Sequence, residues 1–216
     1  LAVELASHDP DVYEDMVLKF IEHFFFIARA MNKPGPDGMW DEEDGFYYDL
    51  LRLPDGGSMR LKVRSIVGLL PLCATTVVEK WQRDRIPRAL AACYLRARQM
   101  PELFESIHPT GPGHLGVCER GLLALANPDR LRRMLSRMLD ENEFLSPHGI
   151  RSLSKFHEKN PYVLNIGGHE YRVDYQPAES NTAMFGGNSN WRGPVWMPIN
   201  ALLIRALLQF YLYYGD

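Results

Sequence analysis

The stretch that decides our interpretation of this chain is residues 179–200, ESNTAMFGGNSNWRGPVWMPIN. It runs from a polar loop with two adjacent glycines into a helical pattern that is apolar on nearly every face. Trp191, Arg192 and Trp196 stand where the loop meets the helix. An indole ring offers a sugar a flat apolar platform, and a guanidinium group can hold hydroxyls or a carboxylate in a fixed fork. The stretch therefore predicts a hydrated pocket with a stacking wall. The alternative is that both tryptophans are core anchors and the arginine caps a neighbouring helix.

The composition is that of a globular chain without nucleic-acid, membrane or metal signals. Its 216 residues are 46% hydrophobic and carry a net charge of −3, enough for one substantial core or two small ones. No basic run interleaved with aromatics suggests nucleic acid, and the longest apolar stretch, residues 199–214, is interrupted and too short to span a bilayer. The seven histidines lack HxxxH or HExxH spacing, so we predict no metal and no cofactor. The three cysteines form no CxxC pair, which favours a cytoplasmic location and leaves the secretory lumen open.

Helix signals dominate the chain. Asp9-Pro10-Asp11 and Asn127-Pro128-Asp129 each place a capping residue before a proline, as helix starts do, and apolar residues then recur at three- and four-residue spacing. We expect helices at residues 9–31, 65–78, 87–100, 118–126 and 127–139, and from Trp196 onward. Amphipathic helices alternate with wholly apolar ones, which predicts an all-α fold of two concentric layers. A hairpin closed by residues 54–57 and a weak strand at residues 171–175 are its expected β insertions.

Four consecutive acids, Asp41 to Asp44, follow Trp40. Paired carboxylates can act as general acid and base, and closely spaced carboxylate oxygens can hold calcium. The run lacks the ligand alternation of a calcium loop, and consecutive acids in a turn are usually solvated, so we expect a structural capping role. Glu179 has two interpretations, a general base or a residue that orders its loop.

Four ordered blocks of the sequence resemble glycoside hydrolase family 63. They are WDEEDGFYYD from Trp40, SIVGLLPL from Ser65, LSPHGIRSLS from Leu145, and the stretch ending in NWRGPVWMPIN at Asn200. The likeness is greater to bacterial-type α-glucosidases and to mannosylglycerate-hydrolase-like domains than to the eukaryotic processing glucosidase. Trehalases have a similar series of blocks, with an aspartate where Arg192 stands, so the arginine favours family 63.

This resemblance implies an (α/α)6 barrel, the six-hairpin glycosidase fold, that hydrolyses α-glycosidic bonds with inversion. Residues 1–216 would be a partial catalytic domain truncated at both ends. Inversion needs a general acid and a separate general base. In the family the acid lies N-terminal to this region and the base C-terminal to the WRGPVW helix. No residue here is therefore expected to be catalytic, and the isolated chain is expected to be inactive.

The resemblance also implies which residues contact the substrate. Trp191 and Arg192 match the sugar-contacting junction, and Gly193 would let the backbone approach closely. Arg151 and Arg64 lie near the expected mouth of the site, and the alternative for each is a salt bridge. The candidate substrate-binding residues are Arg64, Arg151, Asn190, Trp191, Arg192, Gly193 and Trp196.

The expected ligand is an oligosaccharide or small glycoside: an α-glucoside or α-mannoside, with mannosylglycerate and glucosylglycerate among the candidates. A trehalase-like glycosidase is one alternative. The other is a non-catalytic helical scaffold that binds a protein partner.

Overall fold

The computed structural model describes residues 1–101, 114–177 and 193–216, and in these residues the fold is a mixture of helices and β-strands. About 49% of them are helical, and about 19% lie in short antiparallel strand pairs. The prediction of an all-α fold is therefore wrong. Part of the cause is pairing between distant segments, which periodicity within one segment does not reveal.

The helices begin close to where the sequence predicts. In the described residues the α-helices are α1 (Ala2–His8), α2 (Pro10–Met31), α3 (Lys80–Arg85), α4 (Pro87–Gln99), α5 (Pro128–Met138) and α6 (Met197–Tyr214). Shorter 3₁₀ helices span Ile66–Cys73, Val117–Glu119 and Lys155–Glu158. The predicted starts of α2 and α5 are confirmed, with proline as the first residue of each. Asp9 precedes α2 without a side-chain capping bond.

The strands form two-stranded antiparallel pairs. These pairs are β1 (Trp40–Asp41) with β2 (Phe46–Tyr47), β3 (Asp49–Arg52) with β4 (Ser58–Leu61), β5 (Thr76–Val78) with β6 (Gly121–Leu123), β7 (Leu145–Ser146) with β8 (Gly149–Ile150), and β9 (Tyr162–Ile166) with β10 (His169–Val173). The predicted hairpin around residues 54–57 is confirmed as β3–β4. The weak strand pattern at residues 171–175 overlaps β10.

Two predicted α-helices are absent, and strand pairing replaces part of each. The segment 65–78 forms a 3₁₀ helix only to Cys73 and then strand β5. Pro71 has no N–H to donate within the helix, and the β-branched residues that follow favour an extended backbone. The segment 118–126 contributes β6, in which Leu123 lies opposite Thr76 of β5.

The chain divides into two compact units. Unit 1 contains Leu1–Lys33, Ala74–Pro128 and Arg205–Asp216, and unit 2 contains Pro34–Cys73 and Asp129–Ile204. Unit 1 buries Phe25 with Ala28 in one cluster and Val17 with Ile86 in another. Unit 2 holds a stacked pair of buried rings, Phe46 and Phe144, with centroids 5.7 Å apart. Every described candidate site residue lies in unit 2.

Helix α6 buries one side and exposes the other. Leu203, Ala206, Phe210 and Tyr213 are buried, whereas Met197, Ile204, Leu208 and Tyr211 are each more than half exposed. A sequence that is apolar on nearly every face thus forms a helix with one buried and one exposed side in the described structure. Despite its apolar character, neither α6 nor any other helix in the described residues is long and apolar enough to cross a bilayer.

Candidate functional site

The predicted substrate-binding residues fall into two groups. Asn190, Trp191 and Arg192 lie outside the described residues, as does Glu179. Their sugar-binding and loop-ordering roles therefore remain predictions. The other four candidates, Arg64, Arg151, Gly193 and Trp196, are described.

Three segments of unit 2 lie side by side. They are residues 64–66, 150–154 and 193–195, which we call the junction. Two isolated antiparallel bridges connect them, Ser65 with Leu153 and Arg151 with Val195. Ser152 strengthens both contacts, since its carbonyl accepts from the amide of residue 66 at 2.7 Å and its amide donates to the carbonyl of residue 194 at 3.0 Å. The junction therefore connects the second, third and fourth family-like blocks through backbone hydrogen bonds.

Gly193 is buried within the junction because the chain packs closely around it. Its amide donates to the Ser152 hydroxyl at 3.2 Å. A Cβ added here would lie 2.9 Å from the Gln176 carbonyl oxygen and 3.0 Å from the Tyr175 ring. Residues 175 and 176 therefore lie too close to residue 193 for any side chain there, and glycine is the residue that fits.

Asn200 fixes the first turn of α6 to the junction. Its Oδ1 accepts from the amide of Ile150 at 2.7 Å, and its Nδ2 donates to the carbonyl of the same residue at 3.1 Å. Nδ2 also donates to the carbonyl of Trp196, which is half-buried just before the helix. A single buried amide therefore holds the 150–154 segment and the start of α6 together.

Arg151 organises the loop before it. Its Nε donates to the Tyr175 hydroxyl at 3.1 Å, and its Nη1 donates to the carbonyls of Glu141, Glu143 and Leu145. The alternative of a salt bridge is not realised in the described residues, since these acceptors are carbonyls and a phenol. Arg151 holds the family-like loop in shape, and a sugar contact by this residue remains a prediction.

Arg64 is the centre of a network of charged groups. Its Nη1 donates to Glu143 Oε1 at 2.6 Å and its Nη2 to Asp44 Oδ1 at 3.1 Å. Nε donates to the Tyr48 hydroxyl at 3.4 Å, and the guanidinium carbon lies 3.9 Å from the centre of the Phe156 ring. The side chain is only 12% exposed. These contacts realise the salt-bridge alternative, whereas a sugar contact by Arg64 stays untested.

Glu143 is the carboxylate that this network encloses. Its Oε1 accepts from Arg64 and from Arg137 Nη1 at 2.7 Å, and its Oε2 accepts from the Ser154 hydroxyl. The residue is buried. Both oxygens of this carboxylate already accept hydrogen bonds, two from guanidinium groups and one from a hydroxyl, which favours a structural role over the activation of water.

The acidic run stabilises a turn, as predicted. The amide of Asp44 donates to Asp41 Oδ1 at 2.9 Å, and Lys62 Nζ lies 3.0 Å from a carboxylate oxygen of each aspartate. Burial alone would raise the pKa of Asp44, but the hydrogen bond and charge of Lys62, together with the charge of Arg64, outweigh it and hold that pKa below 3.8. The pKa of Asp41 is lowered as well. Burial would raise it, but the hydrogen bond from the Asp44 amide and the nearby Lys62 outweigh that effect. Both carboxylates stay ionised, which does not suit a general acid.

His157 supports Arg64 through the backbone. Its Nε2 lies 2.9 Å from the amide nitrogen of Arg64, which donates to it, so the proton of the neutral ring is on Nδ1 and faces the Asn160 carbonyl at 2.8 Å. Burial lowers the pKa of His157; the Arg64 charge acts in the same direction, whereas the Asn160 carbonyl and the Glu143 charge oppose it. The fold therefore selects the neutral imidazole.

This selection predicts a pH effect on stability. The unfolded chain takes up a proton at His157 near pH 6.5, before the folded chain does, so the free energy of unfolding should fall as the pH drops below that value. The slope is at most about 1.4 kcal/mol per pH unit for one proton. His157→Gln offers an acceptor and a donor without titrating, and should flatten the profile measured by urea unfolding. His148→Gln, which removes an exposed histidine of the same unit, should keep the wild-type profile.

Sequence reasoning missed the residues that hold this site together. Glu143 follows two polar residues, a pattern typical of a solvated loop, and its spacing from other charged residues does not predict burial. Asn200 carried a usable signal, because an amide within an apolar helix needs a partner. Within the described residues no group of three or more His, Cys, Asp or Glu side chains is arranged to hold a metal ion.

Comparison with known proteins gives two partial similarities, and no family model matches the chain. The uncharacterized protein YMR196W of Saccharomyces cerevisiae is 43% identical over 229 residues, which cover 100% of this chain and 21% of that protein. A probable mannosyl-oligosaccharide glucosidase of Schizosaccharomyces pombe is 32% identical over 108 residues, which cover 45% of this chain and 10% of that protein. The chain thus spans about a fifth of the length of the first relative, and its match covers a tenth of the second.

Proposed function

We propose that this chain is part of a glycoside hydrolase of the family 63 type, which cleaves α-glucosidic bonds of an oligosaccharide or small glycoside with inversion. The observation that carries the proposal is the 32% identity, over 45% of the chain, to a protein named as a probable mannosyl-oligosaccharide glucosidase. That name favours an α-glucoside over an α-mannoside as the bond cleaved.

The arrangement of the family-like blocks supports this proposal. Phe46 of the first block stacks on Phe144, next to the third, and the junction connects the second, third and fourth blocks. Segments far apart in sequence therefore meet in one unit, as the walls of a binding site must. The resemblance to family 63 implies an acid N-terminal to this region and a base C-terminal to the WRGPVW helix, so we assign the general acid and base to residues outside this chain.

In this proposal the residues just before the junction segment 193–195 provide the sugar contacts. Trp191 stacks on a sugar ring, while Arg192 and Asn190 hold its hydroxyls, next to the anchored start of α6. Arg64 and Arg151 keep the surrounding loops in place, which preorganises the site.

The test is hydrolysis by the full-length protein that contains residues 1–216. α-Glucosides, α-mannosides, mannosylglycerate, glucosylglycerate and trehalose would be supplied, and NMR would identify the anomer released. We expect the inverted β-anomer from an α-glucoside. Trp191→Ala should lower kcat/KM about 10- to 100-fold, because an aromatic face contributes roughly 1.5–3 kcal/mol when buried against a ligand.

Trp81→Ala is the matched control. Trp81 is half exposed on α3 and lies outside the family-like blocks, so its loss should leave kcat/KM unchanged. Release of the α-anomer would contradict an inverting mechanism. A folded protein without turnover of any of these substrates would refute the proposed activity.

A further inference from the structure

Unit 2 contains a largely apolar cavity that borders the junction through Ser65 and Leu153 and has no lining residue from the charged network. It has a volume of about 480 Å³ and lies against the β3–β4 and β9–β10 hairpins. Small-molecule sites typically measure about 300–1,000 Å³. The cavity is therefore large enough for a small ligand.

The β9–β10 hairpin contributes one face to this cavity. Tyr162, Leu164 and Ile166 of β9 line it, together with Tyr171 and Val173 of β10. Residues between them, such as Val163 and Arg172, are absent from its lining, and Ile166 and Tyr171 of the lining are themselves about half exposed. Because alternate residues of a strand point to opposite faces, the hairpin turns a consistently apolar face to the cavity.

The opposite side of the cavity is formed by aliphatic residues from the first half of unit 2. Leu61 and Val63 line it, followed by Val67, and Leu153 of the junction contributes a further aliphatic side chain. An occupant would thus meet hydrocarbon on both sides, which favours an apolar body.

Asp49 is the one charged residue among the described residues that line the cavity; it is exposed to solvent, and Ser65 adds a hydroxyl to the lining. Asp49 lies opposite Leu61 at the open end of the β3–β4 hairpin, and its carboxylate makes no hydrogen bond or ion pair with any of the described residues. No Lys, Arg or His is among the described residues that line the cavity. The local charge is therefore negative, and it is not neutralised within the described part of the chain.

Two tyrosines add to this preference for a cation. Tyr162 and Tyr171 both line the cavity, and the faces of aromatic rings attract ammonium groups. A carboxylate and tyrosine side chains around a largely apolar space are features that suit a cationic group carried on a hydrocarbon body.

We propose that this cavity binds an amphiphilic amine, with the hydrocarbon part between the hairpins and the ammonium group near Asp49. The site differs from the proposed sugar site in its lining and in its ligand. It does not depend on glycosidase activity.

The test uses three probes that share an eight-carbon chain and differ in the head group: octylammonium, 1-octanol and octanoate. Binding to the 216-residue chain at neutral pH would be titrated by ligand-observed saturation-transfer NMR. We expect octylammonium to bind about five- to tenfold more tightly than octanol, and octanoate to bind weakest.

Three variants test the assignment. Asp49→Asn should remove the preference of octylammonium over octanol while leaving the affinity for octanol unchanged. Leu164→Trp fills the cavity and should weaken both probes at least about tenfold. Val163→Trp adds the same side chain to the exposed face of the same strand and should have no effect. Equal binding of octylammonium and octanol, no binding of octylammonium, or an unchanged preference in Asp49→Asn would each overturn the proposal.

Discussion

Glu143→Ala is expected to lower the free energy of unfolding by about 3 kcal/mol, within the range of about 3–5 kcal/mol seen when one partner of a buried ion pair is removed. The wild-type carboxylate accepts from Arg64 at 2.6 Å and from Arg137 at 2.7 Å, and also from the Ser154 hydroxyl. Its removal leaves two guanidinium groups facing each other without the anion between them. Asp44 still pairs with Arg64 at 3.1 Å, so we place the loss at the lower end of the range.

Urea unfolding would measure this loss, with Glu141→Ala as the control. Glu141 is exposed two residues earlier in the same loop, so its substitution should change stability by less than about 0.5 kcal/mol. Glu143→Gln keeps oxygen and shape while removing the charge and should fall between the two. If Glu143→Ala were no more destabilising than Glu141→Ala, the charged network would not be a source of stability.

The helix starts that could be predicted from the sequence were those marked by a residue type that favours the first turn of a helix. Pro10 and Pro128 begin α2 and α5 because proline fits the first turn, where no N–H partner is needed. The β3–β4 hairpin was predictable from its turn residues. The β9–β10 hairpin was also predictable, because Gly167-Gly168 is a typical two-residue hairpin turn. Both glycines adopt the positive φ that such a turn requires.

The mixed fold was not predictable in this way. Strands β5 and β6 are separated by the 42 residues between Val78 and Gly121, and each segment is extended because it pairs with the other. A local apolar pattern does not distinguish this outcome from a short helix. The expectation of an all-α chain failed for that reason.

The site was predictable only in its outline. The family resemblance marked Arg64 and Arg151 as candidates, but their partners are a distant carboxylate, a phenol and backbone carbonyls. Such partners are set by tertiary structure. The unpaired side chain of Asp49 likewise reads in sequence as a turn residue beside two tyrosines, and its cavity becomes visible only with both hairpins in place.

Gly68→Ala is the second substitution with a large expected effect, a destabilisation of about 3 kcal/mol, at the upper end of the usual cost of overpacking. Gly68 is buried in the 3₁₀ helix Ile66–Cys73. A Cβ at this position would overlap the Phe46 ring and the carbonyl oxygen of Tyr47. Phe46 is fully buried and stacked on Phe144, so its ring cannot swing away.

A double-mutant cycle with Phe46→Leu separates this clash from a general intolerance of the helix. Without the ring, the alanine methyl group meets only the Tyr47 carbonyl, so Gly68→Ala should cost less in the Phe46→Leu background than in the wild type. Gly57→Ala, in the exposed β3–β4 turn with a movable Asp55 side chain as its nearest neighbour, is the glycine control and should cost little. An identical cost of Gly68→Ala in both backgrounds would refute the ring contact as its cause. A reduced cost would mean that contact between the added methyl group and the Phe46 ring, where the first family-like block packs on the second, causes the destabilisation.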